Sequence, residues 1–156
     1  MITVLNTILV GTLATLAMSA FMYSIHTSRL ANADMVRALG SLVTRDKDSG
    51  LLAGLITHVV GGIMFAFPYC FVVSVFPESD LLTPLLIGGL AGFFHGFVFS
   101  FVMIALVAEN HPIEQFRQAG VSVAVAHILG HIVYGLVAGA LVYLLGIHYG
   151  VRLAIQ

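Results

Sequence analysis

Apolar residues fill four long stretches of the chain, Ile2 to Ile25, Leu51 to Val75, Leu82 to Val107 and Val121 to Leu145, and polar residues collect between them. Each stretch meets the roughly 20 apolar residues an α-helix needs to cross a bilayer. The stretches are too long and too uniformly apolar for barrel strands. A bilayer interior offers backbone groups no water, so the pattern predicts helices. Small or polar residues recur at four-residue steps within each: Gly11, Thr15, Ser19; Gly54, His58, Gly62, Ala66; Gly88, Gly92, Gly96, Ser100; His127, His131, Gly135, Gly139. Residues four apart share a helix face, and small ones let helices approach where lipid supplies no hydrophobic drive. The expected fold is all-α, an integral membrane four-helix bundle forming one domain over residues 1–156, with these ladders turned inward.

The connections add detail. Between the first two spans, Met35, Val36, Leu39, Leu42 and Val43 recur at helical spacing, with Asp34, Arg37 and Arg45 on or near the other face. This predicts a short interfacial helix, capped by Asn32 or Asp34. In the third connection, Glu109-Asn110-His111-Pro112 opens a helical turn that Gly120 ends. Arg29, Arg37, Arg45 and Lys47 lie in the first connection and Arg117 in the third, while Pro77-Glu78-Ser79-Asp80 makes the second acidic. By the positive-inside rule, the first and third connections face the cytoplasm and both termini the periplasm.

Composition narrows the function classes. At 60% apolar and 8% charged, the chain lies far from soluble domains, which average roughly 25% charged. The net charge of −1 gives no nucleic-acid signal, and the single cysteine, Cys70, makes no intrachain disulfide. Ala17-Met18-Ser19-Ala20 resembles a cleavage site, but no basic region precedes it, so the first span is expected to be retained. No nucleophile–base pair, phosphate-binding glycine loop or cysteine metal motif is recognisable, which leans away from an enzyme.

The histidines are the feature to explain, because an ionisable side chain inside a membrane is costly and marks a site. Counted from the basic ends of the spans, His127 lies about 9 Å deep, His58 about 10 Å, His131 about 15 Å and His95 about 18 Å at roughly 1.5 Å per residue. His58 is thus level with His127, and His95 with His131. Met18 joins the shallower level, and His127 and His131, four apart, share one face. One reading is a haem b held by these histidines, with Gly62 and Gly135 making room for the ring and Phe65, Phe93, Phe94 and Tyr134 walling it. Another is a transition-metal ion (copper, iron or zinc), where the Met18 thioether favours copper(I). His111, Glu109 and Glu114 would then form an outer access site. In a third, the histidines are structural, pairing with Thr15, Ser19 or Ser100, at about 0.6 kcal/mol per polar contact. Proton relay is disfavoured because no carboxylate lies within a span.

Asp34-Met-Val-Arg37-Ala-Leu-Gly40, Glu109-Asn-His111-Pro and Ala126-His127-Ile-Leu-Gly-His131-Ile-Val-Tyr134-Gly135 carry a resemblance to a family of small four-helix bacterial membrane proteins of unknown function. The resemblance implies the architecture and a bacterial inner-membrane address, and brings no ligand. The expected function is haem or transition-metal binding for electron transfer or metal handling. The alternative is an accessory structural subunit of a larger membrane complex or homo-oligomer.

Overall fold

The computed structural model describes residues 3–76 and 80–147, apart from the side chains of Leu106 and Val107. The expected start of the first span at Ile2, Pro77, Glu78 and Ser79 of the acidic second connection, and His148 and Arg152 lie outside the described residues. The protein is all-helical among the described residues: α1 (Val4–Thr27), α2 (Met35–Thr44), α3 (Gly50–Val75), α4 (Leu82–Val102) with a π-helical continuation over Met103–Ala108, α5 (Glu114–Arg117) and α6 (Val121–Leu144). Four helices, Val4–Thr27, Gly50–Val75, Leu82–Ala105 and Val121–Leu144, are long and apolar enough to cross a membrane. This is the architecture of a multi-pass membrane protein, with the expected short helix, α2, between the first two spans.

Local chemistry sets the helix ends. Thr3 Oγ1 accepts from the Asn6 amide at 3.1 Å and starts α1. Within α1 the Thr7, Thr12, Thr15 and Ser19 hydroxyls each donate to the carbonyl four residues back, so these polar groups are satisfied inside the helix. At its end the Leu30 amide bonds Ile25 O at 3.3 Å and the Arg29 amide bonds His26 O at 3.0 Å, a Schellman cap. Arg29 sits in the left-handed region, φ 58°, at the position glycine ordinarily fills. α6 ends the same way with Gly146, φ 59°. Asp34 caps α2 through the Arg37 amide, and α3 continues through Pro68.

Missing Cβ atoms set the packing. A Cβ on Gly88 would strike the Gly135 carbonyl, one on Gly135 the Gly88 carbonyl, and one on Gly92 the His131 carbonyl, so α4 and α6 meet backbone to backbone. Gly62 takes Thr15 of α1 against its Cα, and Gly54 of α3 takes the Val36 carbonyl of α2. α6 is therefore central, with α4 on one side and α1 and α3 on the other. α2 lies on the first turns of α3 and does not stand alone. Val10, Ala14, Cys70, Val73, Ala138 and Val142 close the interior at the end away from α2, each 0% exposed. Leu86, Leu90, Phe94 and Phe101 of α4 point outward, a surface suited to lipid.

Candidate functional site: the histidine chamber

Three of the predicted histidines meet ring to ring. The His95 and His131 ring centroids are 4.5 Å apart, as are those of His127 and His131. His127 and His131 are buried, and their spacing on α6 stacks them on the face that α4 and α1 cover. His58 reaches the same space from α3. All four line a chamber of about 250 Å³, together with Met18 of α1, Met35 of α2 and Met103 of the π segment. Phe65 and Phe99 flank it, packing on His95 at centroid distances of 4.3 and 4.6 Å.

The hydrogen bonds fix two ring tautomers. The Ser19 hydroxyl gives its single proton to the Thr15 carbonyl at 2.8 Å, so its 3.1 Å contact with His58 Nδ1 has the imidazole donating. His131 Nδ1 likewise donates to the His127 carbonyl at 2.9 Å. Both rings therefore carry the proton on Nδ1, which leaves the Nε2 lone pairs free. A bond from the far ring nitrogen to a backbone or hydroxyl oxygen is how ligating histidines are held in place. His95 Nδ1 meets the Tyr69 hydroxyl at 3.1 Å. His95 Nε2 and His127 Nδ1 are buried with no hydrogen-bond partner. Leaving such an atom unsatisfied costs about 1–3 kcal/mol. The chamber thus presents nitrogens that a bound species would complete.

Other expected residues stand elsewhere. Gly62 and Gly135 do not leave space for a flat ring, because Thr15 and Gly88 occupy it. Gly61, by contrast, lines the chamber with open space where a Cβ would be. Phe93 and Phe94 are 41% and 59% exposed and pack against each other outside the chamber. His111 is fully buried, and both ring nitrogens are engaged: Nε2 donates to the Ala38 carbonyl at 2.9 Å and Nδ1 accepts from the Ile113 amide at 3.0 Å. Glu109 and Glu114 are exposed. His111 and His127 both line a smaller cavity of about 40 Å³, which shares Met35, Met103 and His127 with the chamber. Among the described residues, no three His, Cys, Asp or Glu side chains are arranged to hold a metal ion as they stand.

The sequence pattern pointed to neither Tyr69 nor the methionines Met35 and Met103. Tyr69 lies seven residues after Gly62, two turns on along the inward ladder, so extending that ladder would have found it. Met103 lies seven after Gly96, but the helix widens to π geometry there, and Met35 comes from a separate helix.

No curated protein and no solved structure matches the chain. The profile of DUF6789, a family of unknown function, matches residues 1–150, and the chain belongs to that family.

Proposed function

We propose that this is a membrane-embedded transition-metal-binding protein whose histidine chamber holds copper(I) for metal handling. The observation that carries the reading is the composition of the chamber wall: four imidazoles and three thioethers, with no carboxylate and no thiolate. Thioether donors favour copper(I), and imidazole suits copper generally. A monovalent ion also brings the least uncompensated charge into a low-dielectric interior that offers no anionic ligand. Copper(I) tolerates low coordination numbers, which fits a chamber where, among the described residues, no three His, Cys, Asp or Glu side chains already surround one point. The Nδ1 protonation of His58 and His131 supports the reading by leaving Nε2 ready to ligate. Haem fits less well, since the Thr15 side chain fills the space beside Gly62 and the α4 backbone at Gly88 fills the space beside Gly135.

The address that accompanies this reading is a bacterial inner membrane. The connections bearing Arg29, Arg37, Arg45, Lys47 and Arg117 face the cytoplasm, and the termini face the periplasm.

The test is anaerobic titration of the detergent-purified protein with copper(I) against a chromophoric chelator, with elemental analysis and an optical spectrum of the protein as isolated. Stoichiometric copper(I) retention by the wild type, lost in His58→Ala and His131→Ala, is expected. A Soret band would assign haem. Absence of both signals, with large proteins co-purifying, would assign an accessory subunit.

A further inference from the structure

A second opening adjoins the histidine chamber and shares His58 and Met35 with it, where the end of α1, the first turns of α3 and the first turn of α2 surround a groove of about 940 Å³. Its wall is basic towards the span ends and mixed further in, where Ser19 and His58 stand among apolar side chains. Arg29, Arg37 and His26 line it with the hydrophobic side chains of Ala20, Leu51 and Leu55. His26 closes the last turn of one candidate span and Leu51 opens the first turn of the next, so the groove sits at the boundary of the spans.

Two nitrogens in this wall, Arg37 Nε and His26 Nδ1, are buried and have no hydrogen-bond partner. The one carboxylate in the groove, Asp34, neutralises Arg37 poorly: the closest approach of their charged groups is 3.8 Å, and the other Asp34 oxygen caps α2. Arg29 supplies an independent sign. It holds a left-handed backbone conformation that costs an L residue roughly 1–2 kcal/mol. Glycine takes that position at the matching end of α6.

We infer that this groove binds the phosphate group of an anionic amphiphile, with the headgroup against Arg37, Arg29 and His26 and an acyl chain along Leu51 and Leu55. A guanidinium matches phosphate geometry and charge, and basic pockets between spans are how membrane proteins recognise acidic headgroups. The Leu51 and Leu55 side chains distinguish a lipid phosphate from a free one, because an inorganic ion would leave them uncovered.

The test is native mass spectrometry of the full chain in detergent, titrated with phosphatidylglycerol and with phosphatidylcholine of the same acyl chains. Phosphatidylglycerol is expected to bind more tightly. Arg29→Gly relaxes the backbone while deleting the charge, and Arg45→Gly makes the same change at another left-handed position, φ 56°, outside the groove. Arg29→Gly and Arg37→Gln should each weaken phosphatidylglycerol about fivefold, the fold-change for one basic residue at an anionic surface, while Arg45→Gly leaves it unchanged. Displacement of the lipid by millimolar inorganic phosphate would assign the free ion as ligand, and its failure to displace would assign the lipid. Equal binding of the two lipids, wild-type binding by Arg29→Gly and Arg37→Gln, or equal weakening by Arg45→Gly would overturn the inference.

Discussion

The Tyr134 hydroxyl donates to the Gly62 carbonyl at 2.6 Å and ties α6 to α3 at the height of the histidine chamber. On its other side Gly62 takes the Thr15 side chain, so one backbone unit of α3 joins three spans. Interhelical hydrogen bonds in membranes average about 0.6 kcal/mol and reach about 1.7. Tyr134 is buried and its bond is short, which places it in the upper part of that range. Tyr134→Phe keeps the ring and should cost about 1 kcal/mol in reversible unfolding from mixed micelles. Copper(I) stoichiometry should not change, since the hydroxyl already has its partner and is not offered to the chamber.

The glycines separate into those that hold the bundle together and one, Gly61, that borders the site with room to spare. Gly88 and Gly135 meet each other's carbonyls, and neither backbone is free to give way to a methyl group. Gly88→Ala and Gly135→Ala should each destabilise the protein by at least the 1–3 kcal/mol typical of overpacking, because the obstacle is backbone. Gly61 has open space where its Cβ would be, so Gly61→Ala should stay within about 0.5 kcal/mol of wild type. Thermal unfolding of the three variants in one detergent checks the ranking. A Gly61→Ala protein as unstable as Gly135→Ala would show that the open space beside α3 is closed in solution.

The fold was legible because its causes are periodic. Span length, the four-residue ladders and the Met35-to-Val43 pattern each follow from helix geometry alone. The convergence of His95 and His131 also came through, since rise per residue assigns a common height, and the inward ladders hold His131 and run right beside His95. Azimuth was the obstacle for the rest. Phe93 and Phe94 lie at the right depth but outside the chamber, and one helical step separates Gly61, which faces the chamber's open space, from Gly62, which faces Thr15. Those distinctions depend on which neighbour each helix packs against, a relation between distant segments. His111 shows a different limit. Beside Glu109 and Glu114 it resembled an access site, but its ring bonds backbone atoms 73 and 2 residues away. Single-chain spacing carries no trace of the first contact.

Outside the spans, acid sensitivity should localise at the start of α3. Asp46 accepts from the Ser49 amide and the Ser49 hydroxyl, each at 2.8 Å, and these bonds hold its carboxyl below the usual carboxylate range. A depressed folded-state pKa gives stability that is present above the unfolded value of about 3.9 and fades as the pH falls through the lower folded value. Asp46→Asn removes this dependence. The gap in unfolding midpoint between wild type and Asp46→Asn should therefore shrink steadily as the pH is lowered below about 4. A gap that stays constant through the acid range would mean the carboxylate charge adds nothing to the cap.

The sharpest contrast lies between two buried histidines. At His111 both ring nitrogens bond the backbone, so His111→Ala strands the Ala38 carbonyl and the Ile113 amide and should cost about 1–3 kcal/mol of stability. It should leave copper(I) binding intact. At His131 only Nδ1 is used, and its acceptor is a helical carbonyl of its own chain, so His131→Ala should cost little stability while abolishing metal retention. Met18→Leu tests the soft donor: it conserves volume in a 2% exposed site and should weaken copper(I) while leaving the fold within about 1.5 kcal/mol of wild type. His148→Ala is the comparator and should retain the metal. The pairing of outcomes decides the matter, because metal loss in His111→Ala would report general unfolding, whereas loss in His131→Ala with an unchanged melting curve reports a ligand removed. Copper(I) held equally by His131→Ala and His148→Ala would exclude the chamber as the metal site.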